Sequence, residues 1–543
     1  MLNEKQRGFL RWTIYQIYPR SFMDSDGDGI GDLNGIAEKL DYLKELGVNA
    51  LWLCPCCQSP NDDNGYDISD YEDIMTEFGT MADMEHLIDE LHRRDMKLIM
   101  DLVPNHTSTE HRWFRESRKG RDNPYSDYYY WFDEKPNDWQ SAFRGSAWEY
   151  DEMRGQYYLH SFAVSQADLN WENPAVVREM QGVVDFWIDK GADGFRIDVV
   201  DLISKDILGD RFAFGPRLHE FIHALFGRNK TAHLFTVGES DVHDIGEMIR
   251  HCGADRGELS TLFVFDHMDC GRKDKFTPAD CGGQDGPAPQ DSPLRSLRDI
   301  LIDWQRETQE HDLLYTLFTE NHDQPPLISR VANDGERRYE SATCLAAMIY
   351  LLKGIPFIYQ GQEIGMTASH HDSIDDFDDI ESINAYREFT KSMPESHALA
   401  KVNFGSRDNA RRPFAWDDGP QGGFTGGTPW LPLHSRYKQI NVKSDLAAPR
   451  SVYRFYQELL ALRRSRDAFL DGSFEVISSA DDPYFIYTRT YGGESWAVVC
   501  NFGEKQDIGL PFECAAPALA NLGRASMSGR YQPYECAVGR VSV

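Results

Sequence analysis

The sequence contains no run of about 18 consecutive apolar residues, the length that a membrane-spanning helix requires. Residues 1–11 are polar, and residues 12–18 are typical of a strand rather than of the apolar core of a signal peptide. We therefore expect a cytoplasmic protein that has no contact with a membrane.

Positive charge is also scarce. The chain has 56 Lys and Arg residues against 88 Asp and Glu residues, which gives a net charge of −32. Proteins bind nucleic acids and anionic membranes through Lys and Arg, so this balance argues against both partners. A neutral ligand fits better. The aromatic content of 12% suits a carbohydrate ligand, although a large packed core is the simpler explanation.

The cysteine pattern gives no sign of a disulfide framework or a zinc site. Ten cysteines are spread over 543 residues. Cys54, Cys56 and Cys57 cluster at the end of a predicted strand, but no second Cys/His pair follows at zinc-like spacing. We predict buried free thiols.

Short apolar runs alternate with amphipathic helical segments along most of the chain. This alternation predicts βαβ units and a parallel sheet, and so many units favour a closed (β/α)8 barrel, the TIM barrel, over an open sheet. The predicted strands are residues 13–18, 50–54, 98–103, 194–199, 234–237, 262–265, 314–318 and 357–359, and helices are predicted over 36–46, 81–94 and 176–190.

Two stretches break this pattern. Residues 107–174 separate the third strand from its helix and are too long for a simple loop, so we predict an inserted subdomain. After residue 464 the pattern changes to strands and turns, which predicts a C-terminal antiparallel β-sandwich domain. The barrel would then comprise residues 1–106 and 175–464, and the C-terminal domain residues 465–543. Residues 282–293 have the composition of a loop.

Carboxylates stand at the ends of four predicted barrel strands. Asp101 ends the third strand, Asp198 the fourth and Glu239 the fifth, and Asp323 follows the run over 314–318. Singly, each could cap a helix or form a surface ion pair. Together, in barrel order, they indicate a pocket at the C-terminal face, where barrel enzymes place their chemistry.

Such a set of carboxylates suits glycoside hydrolysis, which needs one acid and one base or nucleophile. One carboxyl group must stay ionised while the other keeps its proton. Arg196 lies two residues before Asp198 and therefore on the same face of the strand. We expect its charge to keep Asp198 ionised, which leaves Glu239 as the proton donor.

The sequence blocks around these residues are characteristic in combination. They are Asp-Leu-Val-Pro-Asn-His at 101–106, Gly-Phe-Arg-Ile-Asp-Val at 194–199, Thr-Val-Gly-Glu-Ser at 236–240 and Glu-Asn-His-Asp-Gln-Pro at 320–325, with further segments at 16–22, 155–160, 168–174, 354–361 and 429–432. Through these blocks nearly the whole chain resembles the α-amylase superfamily of glycoside hydrolases (family 13), and within it the oligo-1,6-glucosidase and α-glucosidase branch.

The resemblance implies a retaining, exo-acting α-glucosidase that removes terminal α-1,6-linked glucose, or α-1,4-linked glucose, from short oligosaccharides such as isomaltose. It implies that Asp198 is the nucleophile, Glu239 the general acid/base and Asp323 the residue that steadies the transition state. Retention requires the two catalytic carboxyl groups to lie about 5–5.5 Å apart. The residues expected around the glucose are Asp63, Tyr66, His106, Phe143, Phe162, Gln166, Arg196, His322 and Arg407. No organic cofactor is expected, and the assembly is expected to be a monomer or a small homo-oligomer.

Two positions bear on specificity. In similar enzymes a Val after the nucleophile accompanies α-1,6 activity and an Ala accompanies α-1,4 preference, so Val199 favours α-1,6 linkages. The alternative is that a β-branched residue simply suits a strand. Pro326 stands where the family usually has Arg, which leaves linkage and chain-length preference open.

An acidic loop follows the first strand. Asp24, Asp26, Asp28, the backbone carbonyl of Ile30 and Asp32 match the first five ligand positions of an EF-hand loop, although Gly35 replaces the final Glu. These hard oxygen ligands predict a structural Ca²⁺, with Mg²⁺ as the alternative, and similar enzymes bind Ca²⁺ here. An Asp/Gly-rich turn without metal is the competing interpretation.

Other activities of the same branch remain as alternatives: a trehalose-6-phosphate hydrolase, an α-1,4 maltase, or a sucrose-acting glucosidase or transglucosidase. A phosphorylated substrate would need a cationic site for the leaving group, which the sequence does not locate. A non-catalytic relative, such as the heavy chain of an amino-acid transporter, would lack the catalytic carboxylates and carry a transmembrane helix.

Overall fold

The computed structural model describes residues 2–278 and 293–542. The loop predicted over 282–293 lies outside them except for its last residue, which begins the helix Pro293–Glu310.

Eight parallel strands form the barrel. In chain order they are β1 (Ile14–Ile17), β2 (Ala50–Leu53), β3 (Lys97–Leu102), β4 (Gly194–Ile197), β5 (Phe235–Glu239), β6 (Thr261–Phe263), β7 (Thr316–Leu317) and β8 (Ile355–Tyr359). Their spatial order is β6-β5-β4-β3-β2-β1-β8-β7. Every residue of β1, β2 and β4 is buried, as expected for parallel strands covered on both faces. The predicted barrel is confirmed.

The barrel is closed between β6 and β7 by side chains instead of a backbone ladder. The hydroxyl of Thr261 donates to the carbonyl of Leu314 at 2.9 Å, and that of Thr316 donates to the carbonyl of Leu262 at 3.0 Å. These two bonds link β6 to β7 across the gap in the ladder.

Helices surround the barrel and begin and end at recognisable residues. The helix Pro174–Lys190 starts after Asn173, whose side chain accepts the N–H of Ala175, and ends at Gly191 with φ of 110°. The α-helices are Glu4–Phe9, Leu33–Glu38, Leu40–Leu46, Met81–Arg93, Arg112–Ser117, Pro174–Lys190, Leu218–Phe226, Ile245–Cys252, Pro293–Glu310, Leu327–Val331, Arg338–Tyr350, Ile380–Phe389, Glu395–Gly405, Asp408–Arg411, Val442–Ala447, Val452–Ser465 and Asp467–Asp471.

The helix predicted over residues 36–46 is instead two helices, Leu33–Glu38 and Leu40–Leu46. The first begins earlier because Asp32 caps it. The break falls at Lys39, whose N–H closes tighter turns onto Ile36 and Ala37 and leaves its own φ and ψ at −103° and 4°.

The segment between β3 and the helix Pro174–Lys190 contains small antiparallel sheets. His106–Ser108 pairs with Gln166–Asp168, which brings the start and the end of the segment together. A three-stranded sheet is formed by Trp131–Phe132, Gln156–Leu159 and Trp148–Asp151. This segment reaches over the C-terminal face of the barrel and contributes to the cavity described below.

The C-terminal part is antiparallel, as predicted. Its five-stranded sheet has the order Ser473–Val476, Tyr484–Tyr491, Glu494–Asn501, Cys536–Arg540, Leu519–Ala520, and a second sheet pairs Gln506–Ile508 with Gly529–Tyr531. One face packs on the barrel, where the hydroxyl of Tyr487 donates to the carbonyl of Met348 at 3.1 Å. The domain boundaries predicted from the sequence stay predictions.

No helix within residues 2–278 and 293–542 has the length and apolar character needed to cross a membrane. Cys54, Cys56 and Cys57 are buried, and all the cysteines of the same residues are free thiols.

Candidate active site

The carboxyl ends of the barrel strands surround a cavity of about 240 Å³. Pockets for drug-sized ligands usually measure about 300–1,000 Å³, so this one suits a single sugar ring rather than a chain. Its lining residues are Asp63, Tyr66, His106, Ala142, Phe143, Phe162, Asp198, Val199, Glu239, Lys275, Asp323, Glu381 and Arg407.

Arg196 is the centre of the charged cluster. It lies level with Asp101 of β3 in the sheet, and its guanidinium is 1% exposed. It donates to Asp198 at 2.6 Å, to Asp101 at 3.0 Å and to Glu239 at 2.5 Å. Because one guanidinium donates hydrogen bonds to both Asp198 and Glu239, their carboxyl groups lie next to each other in the cavity wall.

The charge balance of this cluster decides the pKa of Asp198. Burial raises the pKa well above its usual range, the Arg196 guanidinium lowers it, and the charges of Glu239 and Asp101 raise it. The expectation that Arg196 keeps Asp198 ionised is therefore too simple, because Arg196 is shared among three carboxylates. One positive charge offsets only part of three negative charges, so the pKa of Asp198 stays raised.

A hydrogen-bond chain fixes the base of the cavity. The amide Nε2 of Gln16 donates to Nδ1 of His322 at 2.8 Å, so His322 carries its proton on Nε2. Nε2 lies 2.7 Å from the hydroxyl of Tyr66, which donates to Asp101 at 3.1 Å. The imidazole of His322 also stacks on the Tyr66 ring at an interplanar angle of 8°. His322 and Arg196 thus support the cavity from behind.

Asp323 is held by hydrogen-bond donors on both sides. Arg411 donates to its Oδ1 at 2.7 Å and Arg407 at 3.4 Å, while Nε2 of His322 lies 3.1 Å from Oδ2. Burial raises the pKa of Asp323, but His322 and the two arginines outweigh it and bring the pKa well below its usual range. Asp323 is therefore an ionised acceptor that faces the cavity.

Arg407 connects this group to Asp63. Its guanidinium donates to Asp63 at 3.1 Å and to Asp379 at 2.9 Å, and it lies over the Phe143 ring, 5.0 Å from the centroid. Gln166 donates to the other oxygen of Asp63 at 3.1 Å. Asp63 therefore presents a fixed, doubly hydrogen-bonded carboxyl group to the cavity.

The segment between β3 and β4 supplies a ring-lined wall. The rings of Phe143 and Phe162 meet at 5.6 Å, and the Phe162 ring lies 5.1 Å from that of His106. His106 lies between the amide groups of Asn105 and Gln166, at 3.1 and 3.2 Å. Burial lowers the pKa of His106 to about 4, so its ring is a neutral hydrogen-bonding group at physiological pH.

Val199 has an unusual backbone. Its φ of 33° and ψ of 51° lie in the left-handed region, which a β-branched residue rarely adopts. This conformation points its N–H at Glu239, at 3.3 Å. Strain of this kind persists where the surrounding structure requires it, and it concentrates at functional sites.

A second cavity of about 500 Å³ adjoins the first and shares Val199 and Glu239 with it. Val199 therefore stands between the two cavities. The second one is lined by Val199, Asp201, Leu202, Phe212, Ala213, Phe214, Glu239, Ser240, Asp241, His243, Phe265, Met268, Asp269, Arg272 and Gln324. Pro326 takes a structural position at the start of the helix Leu327–Val331.

Several residues around the first cavity were not predicted from the sequence. Lys275 and Glu381 line it and form an ion pair, although they are far apart in the chain. Arg411 and Asp379 orient Asp323 and Arg407. Asp379 also accepts the N–H of Glu381 and thereby caps the helix Ile380–Phe389, and a cap signal in a sequence says nothing about a second role.

The acidic loop after β1 brings three of its predicted ligands together. The carboxyl groups of Asp24, Asp26 and Asp28 lie within 4.8 Å of one another, a donor set of hard oxygens that fits Ca²⁺ or Mg²⁺. Asp32 is not part of the group. Its carboxylate accepts from the N–H and hydroxyl of Ser25 at 2.7 and 2.8 Å. It also accepts from the N–H of Gly35 at 2.7 Å and thereby caps the helix Leu33–Glu38.

Burial of Asp24 would raise its pKa, but hydrogen bonds from Thr425 and from three backbone N–H groups bring it below its usual range. Its carboxylate is thus ionised and held in place. Ile30 donates its N–H to Asp28 at 2.8 Å, so the loop folds back on its own carboxylates. The geometry supports a metal site built on three aspartates instead of the four in the sequence pattern.

Comparison with known proteins places these features in a family. Residues 16–472 match the family described as Alpha amylase, catalytic domain. The chain is 48% identical over 519 residues to the oligo-1,6-glucosidase of Parageobacillus thermoglucosidasius, covering 91% of this chain and 90% of the relative. It is 44% identical over 574 residues to the trehalose-6-phosphate hydrolase of Bacillus subtilis, covering 100% of both chains.

Solved structures agree with this. A crystal structure of a variant isomaltulose synthase from Erwinia rhapontici, in complex with its natural substrate sucrose, superposes with a TM-score of 0.91 at 36% identity. The match covers 98% of this chain and 99% of that one.

Proposed function

Since the chain belongs to the α-amylase family of glycoside hydrolases and is of its oligo-1,6-glucosidase type, we propose that it is a retaining, exo-acting α-glucosidase. Its substrate would be a terminal α-1,6-linked glucose on a short oligosaccharide such as isomaltose. The observation that carries the proposal is the single guanidinium of Arg196 hydrogen-bonded to both Asp198 and Glu239. This arrangement supports the short carboxyl separation, about 5–5.5 Å, of retaining enzymes.

In the proposed reaction, an oxygen of Asp198 attacks the anomeric carbon while the glycosidic bond breaks. The proton of Glu239 passes to the departing oxygen. Glu239 then takes a proton from water, whose oxygen attacks the same carbon and releases Asp198 and glucose. The first step requires an ionised Asp198 and a proton on Glu239.

The remaining residues would bind and orient the sugar. Asp323 and Asp63 are fixed acceptors for sugar hydroxyls, His106 and Arg407 add polar contacts, and Phe143 with Phe162 forms the ring-lined wall. Tyr66, Gln166 and His322 hold these groups in position through the bonds described above. Such preorganised groups lower the barrier because they need no rearrangement during the reaction.

The second cavity would take the leaving group. Its cationic side chains within residues 2–278 and 293–542 are Arg272 and His243. Arg272 already donates to Asp269 at 2.8 Å and to Gln324 at 3.0 Å, and His243 contacts Asp266 at 2.5 Å. Cations so engaged leave little charge for a phosphate, which favours a neutral sugar over trehalose-6-phosphate.

We further propose that Asp24, Asp26 and Asp28 hold a structural Ca²⁺ or Mg²⁺ ion, which would link the loop and its carboxylates and supply no step of the reaction. The substrate partner is a small oligosaccharide, and a monomer or small homo-oligomer remains our prediction for the assembly.

The test compares kcat/KM for isomaltose, maltose, sucrose, trehalose and trehalose-6-phosphate. We expect isomaltose to be hydrolysed with the highest kcat/KM and the product to appear first as α-glucose, which NMR detects. A preference for trehalose-6-phosphate would refute the substrate assignment, and β-glucose as the first product would refute retention.

The nucleophile is tested with Asp198→Asn, which should abolish turnover because an amide cannot form the covalent bond. The matched control is Asp189→Asn, a change at an exposed aspartate on the helix that precedes β4. Substantial activity in Asp198→Asn would overturn the assignment.

A further inference from the structure

A cluster of two histidines and a glutamate lies outside the cavities described above. His219 is in the helix Leu218–Phe226, and Glu247 and His251 are one turn apart in the helix Ile245–Cys252. Residues four apart project from the same face of a helix. Ligand atoms of the three side chains all lie within 4.8 Å of one another, so the two helices bring them to one point.

Hydrogen bonds fix the orientation of both rings. Nδ1 of His251 lies 2.9 Å from the backbone carbonyl of Glu247, which can only accept, so this nitrogen carries the proton. Nδ1 of His219 lies 2.8 Å from a carboxylate oxygen of Glu258. In each ring Nδ1 therefore donates a hydrogen bond to a carbonyl or carboxylate oxygen, and Nε2 keeps a lone pair that can bind a metal. Metal-bound histidines have the same arrangement.

The Nε2 atom of His251 is a buried, unsatisfied hydrogen-bonding atom. The imidazole is completely buried, and Nε2 has no hydrogen-bond partner within the described residues. The nearest charged oxygen, on Asp201, is 4.0 Å away. A buried lone pair without a donor is rare in proteins and calls for an ion or a water to complete it.

Access and charge also suit a cation. The side chains of His219 and Glu247 are 29% and 27% exposed, so an ion can reach the cluster from solvent. Glu247 pairs with the exposed Arg250, and a pair of this kind is weak enough to be exchanged for a metal ligand.

We propose that Nε2 of His219, Nε2 of His251 and the carboxylate of Glu247 bind a divalent transition-metal ion. Two imidazoles and one carboxylate form a donor set that Zn²⁺ accepts in tetrahedral geometry, with water in the fourth position. Asp24, Asp26 and Asp28 offer only hard oxygen ligands, which favour Ca²⁺ or Mg²⁺ over Zn²⁺.

The site would clamp two helices behind β5. Asp201, which faces His251, also accepts from the hydroxyl of Ser240 at 2.8 Å and from the N–H of Asp241 at 2.6 Å. Ser240 and Asp241 directly follow Glu239, so a bound ion would stiffen the support of that strand end. The inference does not depend on the proposed substrate.

The test uses the tag-free full-length protein, treated with EDTA and then saturated with Ca²⁺ so that the loop after β1 does not compete. Calorimetric titration with Zn²⁺ should show one equivalent bound. Cobalt substitution should give the absorption of nitrogen and oxygen ligands without the thiolate charge-transfer band that cysteine ligands would produce.

The variants His219→Ala and Glu247→Gln should each weaken Zn²⁺ binding at least about tenfold. His223→Ala is the matched control, because this exposed histidine lies in the same helix and outside the cluster. Binding that is absent in the unmodified protein, unchanged in both variants, or lost equally in His223→Ala would overturn the proposal.

Discussion

Shortening the side chain of Val199 should change the linkage preference. Val199 stands between the two cavities, and its N–H donates to Glu239. The change Val199→Ala removes two methyl groups from the wall next to the leaving group and keeps that N–H. We therefore expect altered specificity with the catalytic carboxyl groups still in place.

The magnitude follows from the contact that is lost. A methylene group in an apolar subsite is worth about 1–3 kcal/mol, or about 10- to 200-fold in kcat/KM. We expect the ratio of kcat/KM for isomaltose to that for maltose to fall at least about tenfold in Val199→Ala. The left-handed backbone at Val199 costs about 1–3 kcal/mol, and part of this strain is relieved without the β-branch. The free energy of unfolding should thus change by less than about 1 kcal/mol.

The control is Val200→Ala. Val200 is 1% exposed and packs beside Gly238, so its truncation should lower the free energy of unfolding by about 2 kcal/mol. It should leave the isomaltose-to-maltose ratio unchanged. An unchanged ratio in Val199→Ala, or an equal shift in both variants, would show that Val199 does not set the linkage preference. The measurements are steady-state kinetics on the two disaccharides and chemical denaturation.

Three further predictions concern the acid, pH and metal. Glu239→Gln should lower kcat/KM for isomaltose at least about 100-fold, with a smaller loss for an activated glucosyl fluoride that needs no proton; equal losses would contradict its role as acid. Burial raises the pKa of Glu320 from 4.5 to about 7, so the folded state binds its proton more tightly than the unfolded state does. The resulting contribution to the free energy of unfolding is complete below pH 4.5 and is lost as pH rises through 7. The interval corresponds to about 3 kcal/mol, and Glu320→Gln should flatten the stability curve between pH 5 and 8; an unchanged curve would refute this. Removing Ca²⁺ with a chelator should lower Tm. Adding Ca²⁺ back to 100 times its Kd should raise the free energy of unfolding by about 2.7 kcal/mol, and Asp26→Asn should abolish that gain. Equal stabilisation of this variant by Ca²⁺ would exclude the loop as its site.

The sequence located the barrel and its charged cluster because both follow from local patterns. Alternating strands and helices require a parallel sheet, and the strand ends of such a barrel share one face. Arg196 on β4 and Asp198 directly after the strand were therefore expected to lie side by side, and their side chains are hydrogen-bonded at 2.6 Å. The expected sugar-binding residues also lie in or directly behind one cavity, although their roles stay predictions.

Other features depend on contacts between distant segments and left no local signal. Lys275 and Glu381 meet only after folding. Asp32 fits the spacing of a metal ligand and that of a helix cap equally well, and its actual partners, Ser25 and Gly35, decide between them. The pKa of Asp198 depends on how many carboxylates share Arg196, and that number is a property of the assembled site.

In the proposed reaction, Asp198 bonds covalently to glucose. The most direct measurement is to incubate the protein with a ring-fluorinated α-glucosyl fluoride, which reacts quickly and is released slowly, and to locate the label by proteolysis and tandem mass spectrometry. We predict one glucosyl group, attached to Asp198. A label on Glu239 or Asp323, or inactivation without any covalent adduct, would exclude Asp198 as the nucleophile.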